Sequence, residues 1–213
     1  MPTLVIATHN AHKAAEIAAI IDLPGLELHP LDDFGISESA CEDGTSFTAN
    51  AEIKARFAYQ HTGLPALADD SGICVDALAG APGIYSARYA NLDAQGKDDA
   101  CDASDLANNA KLLRALEGVA PAGRGAHFHA AICFVDAQGR SHFSEADMTG
   151  AIATAPRGED GFGYDPLFLV DAYDRRLSSA ELSRSQKNQL SHRGQALRAI
   201  RPLLEDALRL GEL

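Results

Sequence analysis

Two neighbouring carboxylates stand at the end of an apolar run in Ala68-Asp69-Asp70-Ser71-Gly72. On an extended backbone adjacent side chains point to opposite faces, so we expect Asp69 and Asp70 to have different functions. A carboxylate repels phosphates unless a cation lies between them, and Mg²⁺ held by one or two carboxylates and the substrate is the natural mediator. A polar turn with an aspartate as a local cap is the alternative interpretation.

A second acidic segment, Glu42-Asp43-Gly44, lies in a stretch that we predict to be a loop. Glu42 is a candidate second ligand for the same cation. Since single loop acids are mostly solvated, a surface carboxylate is the alternative.

The pattern Thr8-x-Asn10-x-x-Lys13 follows an apolar run and precedes a helical one. Backbone N–H groups and the helix dipole at such a helix start favour an anion, and the Lys13 ammonium suits a phosphate. The alternative is a Thr/Asn cap with a solvated lysine. No G-x-G-x-x-G is present here, so a dinucleotide fold has little support.

Glycines surround Phe162 in Gly158-x-x-Gly161-Phe162-Gly163-Tyr164-Asp165-Pro166. They would let the backbone approach a flat ligand closely, and the phenyl face could then stack on a base. A tight turn with Phe162 in the core is the alternative.

Basic side chains recur in Ser191-His192-Arg193-Gly194, with Lys187 shortly before. Arginine and histidine together offer several donors for acceptor atoms of a ligand. A helix-start cap with solvated basic residues is the alternative.

The elements that must position these residues open with a strand, Thr3 to Ala7, a helix, Lys13 to Ile21, and a strand, Leu26 to Pro30. This order indicates a parallel β-α-β unit in an α/β fold. Further along we predict an acidic loop over 32–44, helices over 45–61 and 106–116, and apolar runs over 64–68 and 73–78. A hairpin runs from 127–135 into 141 onward. A capping box at Ser178-x-x-Glu181 opens a helix, and an amphipathic terminal helix over 194–210 covers the sheet. Residues 91–102 form a polar insertion.

Composition excludes several functional classes. The formal charge is −12 without a Lys/Arg block, which argues against nucleic acid as a partner. No apolar run approaches the roughly 18 residues that a membrane span needs. The first residues, MPTLVIATHN, lack the pattern of a signal peptide. We therefore expect a cytoplasmic protein with no membrane partner.

The cysteines, Cys41, Cys74, Cys101 and Cys133, include no Cys-x-x-Cys pair. This spacing argues against a zinc site and favours reduced structural thiols in the cytosol.

Six blocks in order resemble the Ham1/RdgB family of inosine and xanthosine triphosphate pyrophosphatases, and the resemblance runs from Leu4 to about Leu208. The blocks are Thr8-His9-Asn10-Ala11-His12-Lys13, Thr48-Ala49-Asn50-Ala51-x-x-Lys54-Ala55, Ala68-Asp69-Asp70-Ser71-Gly72, Gly83-Ile84-Tyr85-Ser86-Ala87-Arg88-Tyr89, Gly161-Phe162-Gly163-Tyr164-Asp165-Pro166 and Ser191-His192-Arg193-Gly194. The insertion at 91–102 and Asp160 are unusual but touch no block.

The resemblance implies a single domain over residues 1–213 with an elongated two-lobed α/β fold, a central mixed β-sheet flanked by helices and a cleft between the lobes. It also implies a homodimer and a small-molecule nucleoside triphosphate substrate, cleaved to monophosphate and pyrophosphate with Mg²⁺. By the same resemblance Glu42 and Asp70 hold the metal, and Asp70 is the proton acceptor. The implied substrate contacts are, for the triphosphate, Thr8, His9, Asn10, Ala11, His12, Lys13 and Lys187, with Lys54 beside the phosphates, and, for the nucleotide, Ser71, Phe162, Gly163, Tyr164, Asp165, His192 and Arg193.

Elementary chemistry agrees with these roles. Mg²⁺ would neutralise the triphosphate and acidify the attacking water, Asp70 would take the proton, and lysines would stabilise the leaving pyrophosphate. Donors from His192 and Arg193 would pair with the 6-oxygen of hypoxanthine or xanthine and meet the amino group of adenine unproductively.

Two other functions remain open. A related house-cleaning pyrophosphatase would act on other modified nucleotides. A nucleotide sensor would keep the pocket without catalysis, although Glu42, Asp69 and Asp70 are all present.

Overall fold

The computed structural model describes residues 1–92 and 102–208, and the predicted insertion at 91–102 lies mostly outside them. Six strands form one mixed sheet in the order β2-β1-β3-β4-β5-β6. The strands are β1 (Thr3–Ile6), β2 (Glu27–Pro30), β3 (Ala66–Val75), β4 (Gly125–Val135), β5 (Ser141–Ile152) and β6 (Phe168–Val170). The helices are α1 (Ala11–Ile21), α2 (Phe47–Thr62), α3 (Asp105–Ala115), α4 (Arg184–Leu190) and α5 (His192–Ala207).

The opening β-α-β unit is confirmed. Strands β1 and β2 pair in parallel, with Thr3 opposite Glu27. Helix α1 begins where the Asn10 side chain accepts the backbone N–H groups of residues 12 and 13. Its buried residues, Ile17 and Ile21, lie one turn apart and face the core.

Strand β3 corrects a prediction. The sequence suggested two apolar runs, over 64–68 and 73–78, separated by the polar residues 69–72. Instead one strand runs through Ala66–Val75. Aspartate and glycine disfavour strands by themselves, but the place of β3 between β1 and β4 in the sheet overrides that weak preference. The second run ends early, in a 3₁₀ turn at Asp76–Leu78.

The predicted hairpin is confirmed, and its first strand begins two residues earlier than expected, at Gly125. β4 and β5 are neighbours in the sheet, joined by a turn in which Asp136 N–H donates to the Arg140 carbonyl. The Asp136 carboxylate accepts the backbone N–H groups of Gln138 and Arg140, and also binds the side chains of Arg140 and His142. A single buried carboxylate therefore organises the whole turn.

The chain divides into two compact units. The first unit comprises Met1–Asp70, Ala130–Ala146 and Ser191–Leu213, and the second comprises Ser71–His129 and Asp147–Leu190. Strands β3, β4 and β5 each have residues in both.

Two apolar clusters cover the two faces of the sheet in the first unit. Leu4 and Ile6 pack with residues of α1 and α5, whereas Val5 and Ala7 pack with residues of α2. Successive side chains of a strand point to opposite faces, so β1 is buried on both sides. Burial on both faces is typical of strands that helices cover.

The second unit has its own core. Its fully buried members include Ile73, Leu112 and Phe168, and the ring centroids of Phe128 and Phe168 lie 4.5 Å apart. Helix α3, predicted over 106–116, begins after Ser104, whose hydroxyl accepts the Ala107 N–H. Its Leu112 joins this core.

The predicted C-terminal helix is confirmed, and its apolar side covers the sheet. Helix α5 packs Ala196, Leu197, Ile200 and Leu204 into the cluster beside β1 and β4. The capping box at Ser178 and Glu181 is present, but it opens only a 3₁₀ turn, Ser179–Glu181, before α4. The predicted loop at 32–44 begins with another such turn, Leu31–Phe34. No helix among the described residues is long and apolar enough to cross a membrane.

Candidate active site

Asp69 and Asp70 lie in the middle of β3 and contact different helices of the first unit. Asp69 binds the Lys13 ammonium of α1 at 2.9 Å and the Arg193 guanidinium of α5 at 3.2 Å. Asp70 binds the Lys54 ammonium of α2 at 2.6 Å. The two carboxylates therefore have opposite surroundings, as expected from the alternation along a strand, and the interpretation of residues 69–72 as a polar turn is wrong.

The Asp69 carboxylate is a permanently charged group. Its side chain is 1% exposed, and burial disfavours its charge. The positive charges of Arg193 and Lys13 outweigh that effect and hold the pKa of this carboxyl far below its ordinary value. Arg193 also donates to the Glu16 carboxylate of α1. Asp69 thus links α1, β3 and α5 by charge.

The Asp70 carboxylate has a different balance. Burial raises its pKa above the ordinary value, Lys54 and Lys13 oppose this, and Glu42 adds to it. Its Oδ1 binds Lys54, while its buried Oδ2 has no hydrogen-bond partner among residues 1–92 and 102–208. A carboxylate oxygen that is not already hydrogen-bonded can accept a proton from a positioned water.

Glu42 lies on the same side as Asp70. The Lys54 ammonium binds its Oε2 at 3.2 Å, so one cation contacts both carboxylates. Burial would lower the pKa of the Lys54 ammonium, but Asp70 and Glu42 outweigh it and raise that pKa. Lys54 therefore stays protonated between them.

Asn50 is a functional candidate that the residue chemistry alone did not single out. It is fully buried on α2, and its Oδ1 accepts the Gly44 N–H at 2.9 Å. This bond ties the loop that carries Glu42 to the helix that carries Lys54. The signal was Asn50 in the block Thr48-Ala49-Asn50-Ala51.

The segment from Thr8 to Lys13 forms a capped helix start. Asn10 Oδ1 accepts the N–H groups of His12 and Lys13, and Thr8 Oγ1 accepts that of Asn10. The His9 ring binds the Asp32 carboxylate and the Glu38 carbonyl. The cap is confirmed, but the Lys13 side chain is 18% exposed and ion-paired, so it is not simply solvated.

Residues 191–193 begin helix α5. Ser191 Oγ accepts the Gly194 N–H at 3.0 Å, which confirms the cap. His192 and Arg193 are both buried. The expectation of solvated basic side chains is therefore wrong for both.

In the second unit the glycine-rich loop organises Phe162. The Phe162 N–H donates to Asp165 Oδ2 at 2.9 Å, and the Lys187 ammonium donates to the same oxygen at 2.8 Å. That ammonium also lies 4.7 Å from the centroid of the Phe162 ring. A Cβ on Gly161 would lie 2.3 Å from Asp165 Oδ2, so only glycine fits there.

Phe162 and Tyr164 have different environments in that loop. Tyr164 is buried, its hydroxyl donates to the Ser86 carbonyl at 2.8 Å, and it belongs to the core of the second unit. Phe162 is half-buried and outside that core. The interpretation of Phe162 as a core residue is therefore wrong.

Two of the thiols among the described residues are poorly suited to act as nucleophiles. Burial raises the pKa of Cys133 to about 12 and also raises that of Cys74. Cys41 is exposed, and none of these three is in a disulfide. Within residues 1–92 and 102–208, no three His, Cys, Asp or Glu side chains form a metal cage.

The structure thus groups the predicted site residues by unit. Thr8 to Lys13, Glu42, Lys54, Asp70, His192 and Arg193 belong to the first unit. Ser71, Phe162 to Asp165 and Lys187 belong to the second.

Comparison with known proteins extends over almost the whole chain. The sequence profile of the Ham1 family matches residues 4–203. The dITP/XTP pyrophosphatase of Lactiplantibacillus plantarum is 45% identical over 198 residues, which cover 93% of this chain and 92% of that protein. The dITP/XTP pyrophosphatase of Yersinia pseudotuberculosis is 46% identical over 214 residues, covering 97% and 100%.

A solved structure agrees with the sequence relatives. The HAM1 protein from Coxiella burnetii superposes with a TM-score of 0.83 at 38% identity, covering 97% of this chain and 100% of that one. Its fold and the full-length sequence matches lead to the same conclusion: this chain belongs to the Ham1 family.

Proposed function

We propose that this chain hydrolyses the deaminated purine nucleoside triphosphates ITP, dITP and XTP to the monophosphate and pyrophosphate. Relatives named dITP/XTP pyrophosphatase match it over nearly its full length. The observation that carries the proposal is the group Glu42, Lys54 and Asp70, in which two carboxylates surround one cation and one buried carboxylate oxygen has no partner among the described residues.

Glu42 and Asp70 are the proposed Mg²⁺ ligands, and the residues fit that ion. Both are oxygen donors, both already contact a single positive charge, and Asp70 Oδ2 is free to accept a further bond. Mg²⁺ is commonly held by one or two carboxylates together with substrate phosphates. When bound, it would neutralise phosphate charge and favour deprotonation of the attacking water.

Asp70 is the proposed proton acceptor. Its carboxylate takes the proton of the water that attacks phosphorus, which needs a base within hydrogen-bond reach. Burial favours the protonated product of that transfer, because it raises the pKa of this carboxyl. The rigid strand β3 holds the group in place.

Three lysine side chains are proposed to bind the triphosphate. Lys13 lies in the first turn of α1 and Lys54 lies about two turns into α2, and their ammonium groups bind Asp69 and Asp70. Lys187 is held by Asp165. The backbone from Thr8 to Lys13 adds the helix N-terminus. These charges would stabilise the leaving pyrophosphate.

Base recognition is assigned to Phe162 and to His192 and Arg193. The half-buried ring of Phe162 offers a face for stacking, and the family resemblance adds Gly163, Tyr164 and Asp165 as nucleotide contacts. In the structure Arg193 donates to Glu16 and Asp69. The Arg193 guanidinium therefore has a structural role in these ion pairs besides the proposed recognition of the 6-oxygen.

A pyrophosphate-release assay over a nucleotide panel tests the proposal. We expect turnover of ITP, dITP and XTP with Mg²⁺, much slower turnover of ATP, and loss of activity when the metal is chelated. Faster turnover of dUTP or methylated nucleotides would favour the related house-cleaning enzyme. Binding of ITP without pyrophosphate release would favour the sensor.

The family resemblance adds a homodimer and a cytoplasmic location to this proposal. Light scattering after gel filtration should give a mass of twice 22.5 kDa. A monomeric mass would contradict the proposed homodimer and would leave the proposed activity untouched.

A further inference from the structure

One residue of the glycine-rich loop, Gly163, is bound by a single helix at both its N–H and its carbonyl. The Gly163 N–H donates to Asp105 Oδ2 at 2.6 Å, and the Gly163 carbonyl accepts from Asn109 Nδ2 at 2.9 Å. Asp105 and Asn109 are four residues apart on α3, so they lie on the same side of that helix. Together they fix the position of Gly163.

The Asn109 side chain is not needed to build α3. Ser104 already caps the helix, because its hydroxyl accepts the Ala107 N–H. Asparagine is a poor helix former, and Asn109 is buried with its Oδ1 lacking a hydrogen-bond partner among the described residues. A buried acceptor without a partner is unfavourable, so an apolar residue would suit the helix better. The bond to Gly163 is what the asparagine contributes.

Gly163 follows Phe162 directly, so the peptide group that joins them helps to fix the backbone from which the phenyl ring projects. The N-terminal side of Phe162 is held by Asp165, which also binds Lys187. The C-terminal side is held by the Phe162 carbonyl, which accepts the Asp165 N–H, and through Gly163, whose φ of +61° lies in the left-handed region. A glycine is the most mobile residue of an unfixed loop, so these side-chain bonds are what limit its motion.

We propose that Asp105 and Asn109 are positioning residues that hold Phe162 in its base-binding orientation before substrate arrives. This inference rests on the proposed function, since it assumes that Phe162 stacks on the base. A ligand that meets an ordered ring avoids the entropy loss of ordering it, which is the general gain from preorganisation. The two residues act through Phe162 and do not touch the substrate.

The test uses Asn109→Leu and Asp105→Ala in the full chain. Asn109→Leu keeps the branched shape and the number of heavy atoms of the side chain and removes the bond to Gly163. We expect the KM for ITP to rise roughly 3- to 10-fold in each, with kcat within about twofold, as for a lost preorganised side chain. Asp105→Asn keeps an acceptor oxygen for the Gly163 N–H and should restore the KM. Leu106→Ala is the matched control, because Leu106 lies on the same helix and is 81% exposed.

Two further measurements separate positioning from a general structural role. Inhibition by pyrophosphate, which has no base, should be unchanged in Asn109→Leu, and so should the thermal midpoint. In a Phe162→Ala background, Asn109→Leu should raise the KM no further. A lower thermal midpoint with weaker pyrophosphate inhibition, or an equal KM increase in both backgrounds, would overturn the proposal.

The outcome for Phe162→Ala alone distinguishes a failure of the proposed function from a failure of the positioning role. If it leaves the KM for ITP unchanged, the stacking role in the proposed function fails, and the positioning role fails with it. If it raises the KM while Asn109→Leu and Asp105→Ala do not, only the positioning role is overturned.

Discussion

The acidic residues of β3 and the glycine-rich loop at residues 156–165 are held in place by different bonds. Asp69 and Asp70 are fixed by a strand and by ion pairs between side chains, with Lys13, Arg193 and Lys54. The loop has no ladder, and side chains such as Asp105 and Asn109 bind its backbone. Substitutions in the first region should therefore change charge and chemistry, whereas those in the second should change conformation and affinity.

A comparison within the first region is sharper still. Asp69 and Asp70 are the same residue type on neighbouring positions, yet surrounding charges lower the pKa of one and burial raises that of the other. One carboxylate holds helices together, and the other keeps an oxygen available for chemistry. Substitutions of these two residues separate the two roles, and substitutions of Arg193, Lys54 and Lys13 separate the contributions of single positive charges.

Asp70→Asn has the largest expected effect. It removes the proposed proton acceptor and should lower turnover by about 10²-fold or more, the scale for a lost general base. Circular dichroism and a thermal melt should show that the fold is kept. Turnover close to that of the unchanged protein would move the role elsewhere, with Asp69 the first alternative.

Asp69→Asn should act on stability instead. The Lys13 and Arg193 charges would lose their buried partner, and breaking one side of a buried ion pair costs about 3–5 kcal/mol. Urea unfolding measures this loss in the free energy of unfolding. The matched control is Asp70→Asn, which should lose less, because burial already disfavours its charge. Equal losses would mean that the two carboxylates do not differ in role.

Arg193→Ala tests base reading. Charged hydrogen bonds contribute about 1.5–3 kcal/mol, so kcat/KM for ITP should fall by roughly one to two powers of ten. ATP should lose much less, and the ITP/ATP ratio should collapse. Glu16→Gln disturbs the same ion pair and keeps the guanidinium, so it should preserve the ratio. An equal loss for both substrates would give Arg193 a structural or phosphate-binding role only.

Lys54→Met should increase the affinity for Mn²⁺ in the absence of nucleotide. The ammonium lies between Glu42 and Asp70, so its removal leaves both carboxylates without a competing cation. We expect a gain of up to about tenfold, the order of one charge interaction near a protein surface. Electron paramagnetic resonance of free Mn²⁺ measures it, with Arg56→Met on the same helix as the control. Weaker binding would show that Lys54 does not compete with the metal.

Lys13→Ala should have the smallest effect. Loss of one phosphate-facing charge should raise the KM for ITP and weaken inhibition by pyrophosphate, by several-fold for a partly exposed pair. Steady-state kinetics with added pyrophosphate measures both. Unchanged constants would show that this ammonium serves only its ion pair with Asp69.

Much of the local structure followed from the sequence. The helix start at Asn10, the cap at Ser191 and the parallel unit β1-α1-β2 were predicted, because caps and apolar periodicity act over a few residues. The failure was at Asp69 to Gly72, where polar residues with low strand preference lie inside β3. The inclusion of a segment in a sheet is a non-local effect that no local pattern contains.

The sequence by itself determined which chemical groups are present, and the alternation along a strand was enough to place Asp69 and Asp70 on opposite faces. Only the tertiary structure decided their partners. Arg193 reaches Asp69 across 124 positions of the chain, and Asn109 reaches Gly163 across 54. Such contacts depend on how α5 and α3 pack within their own units, and packing is set by burial of apolar faces far from the charged groups themselves.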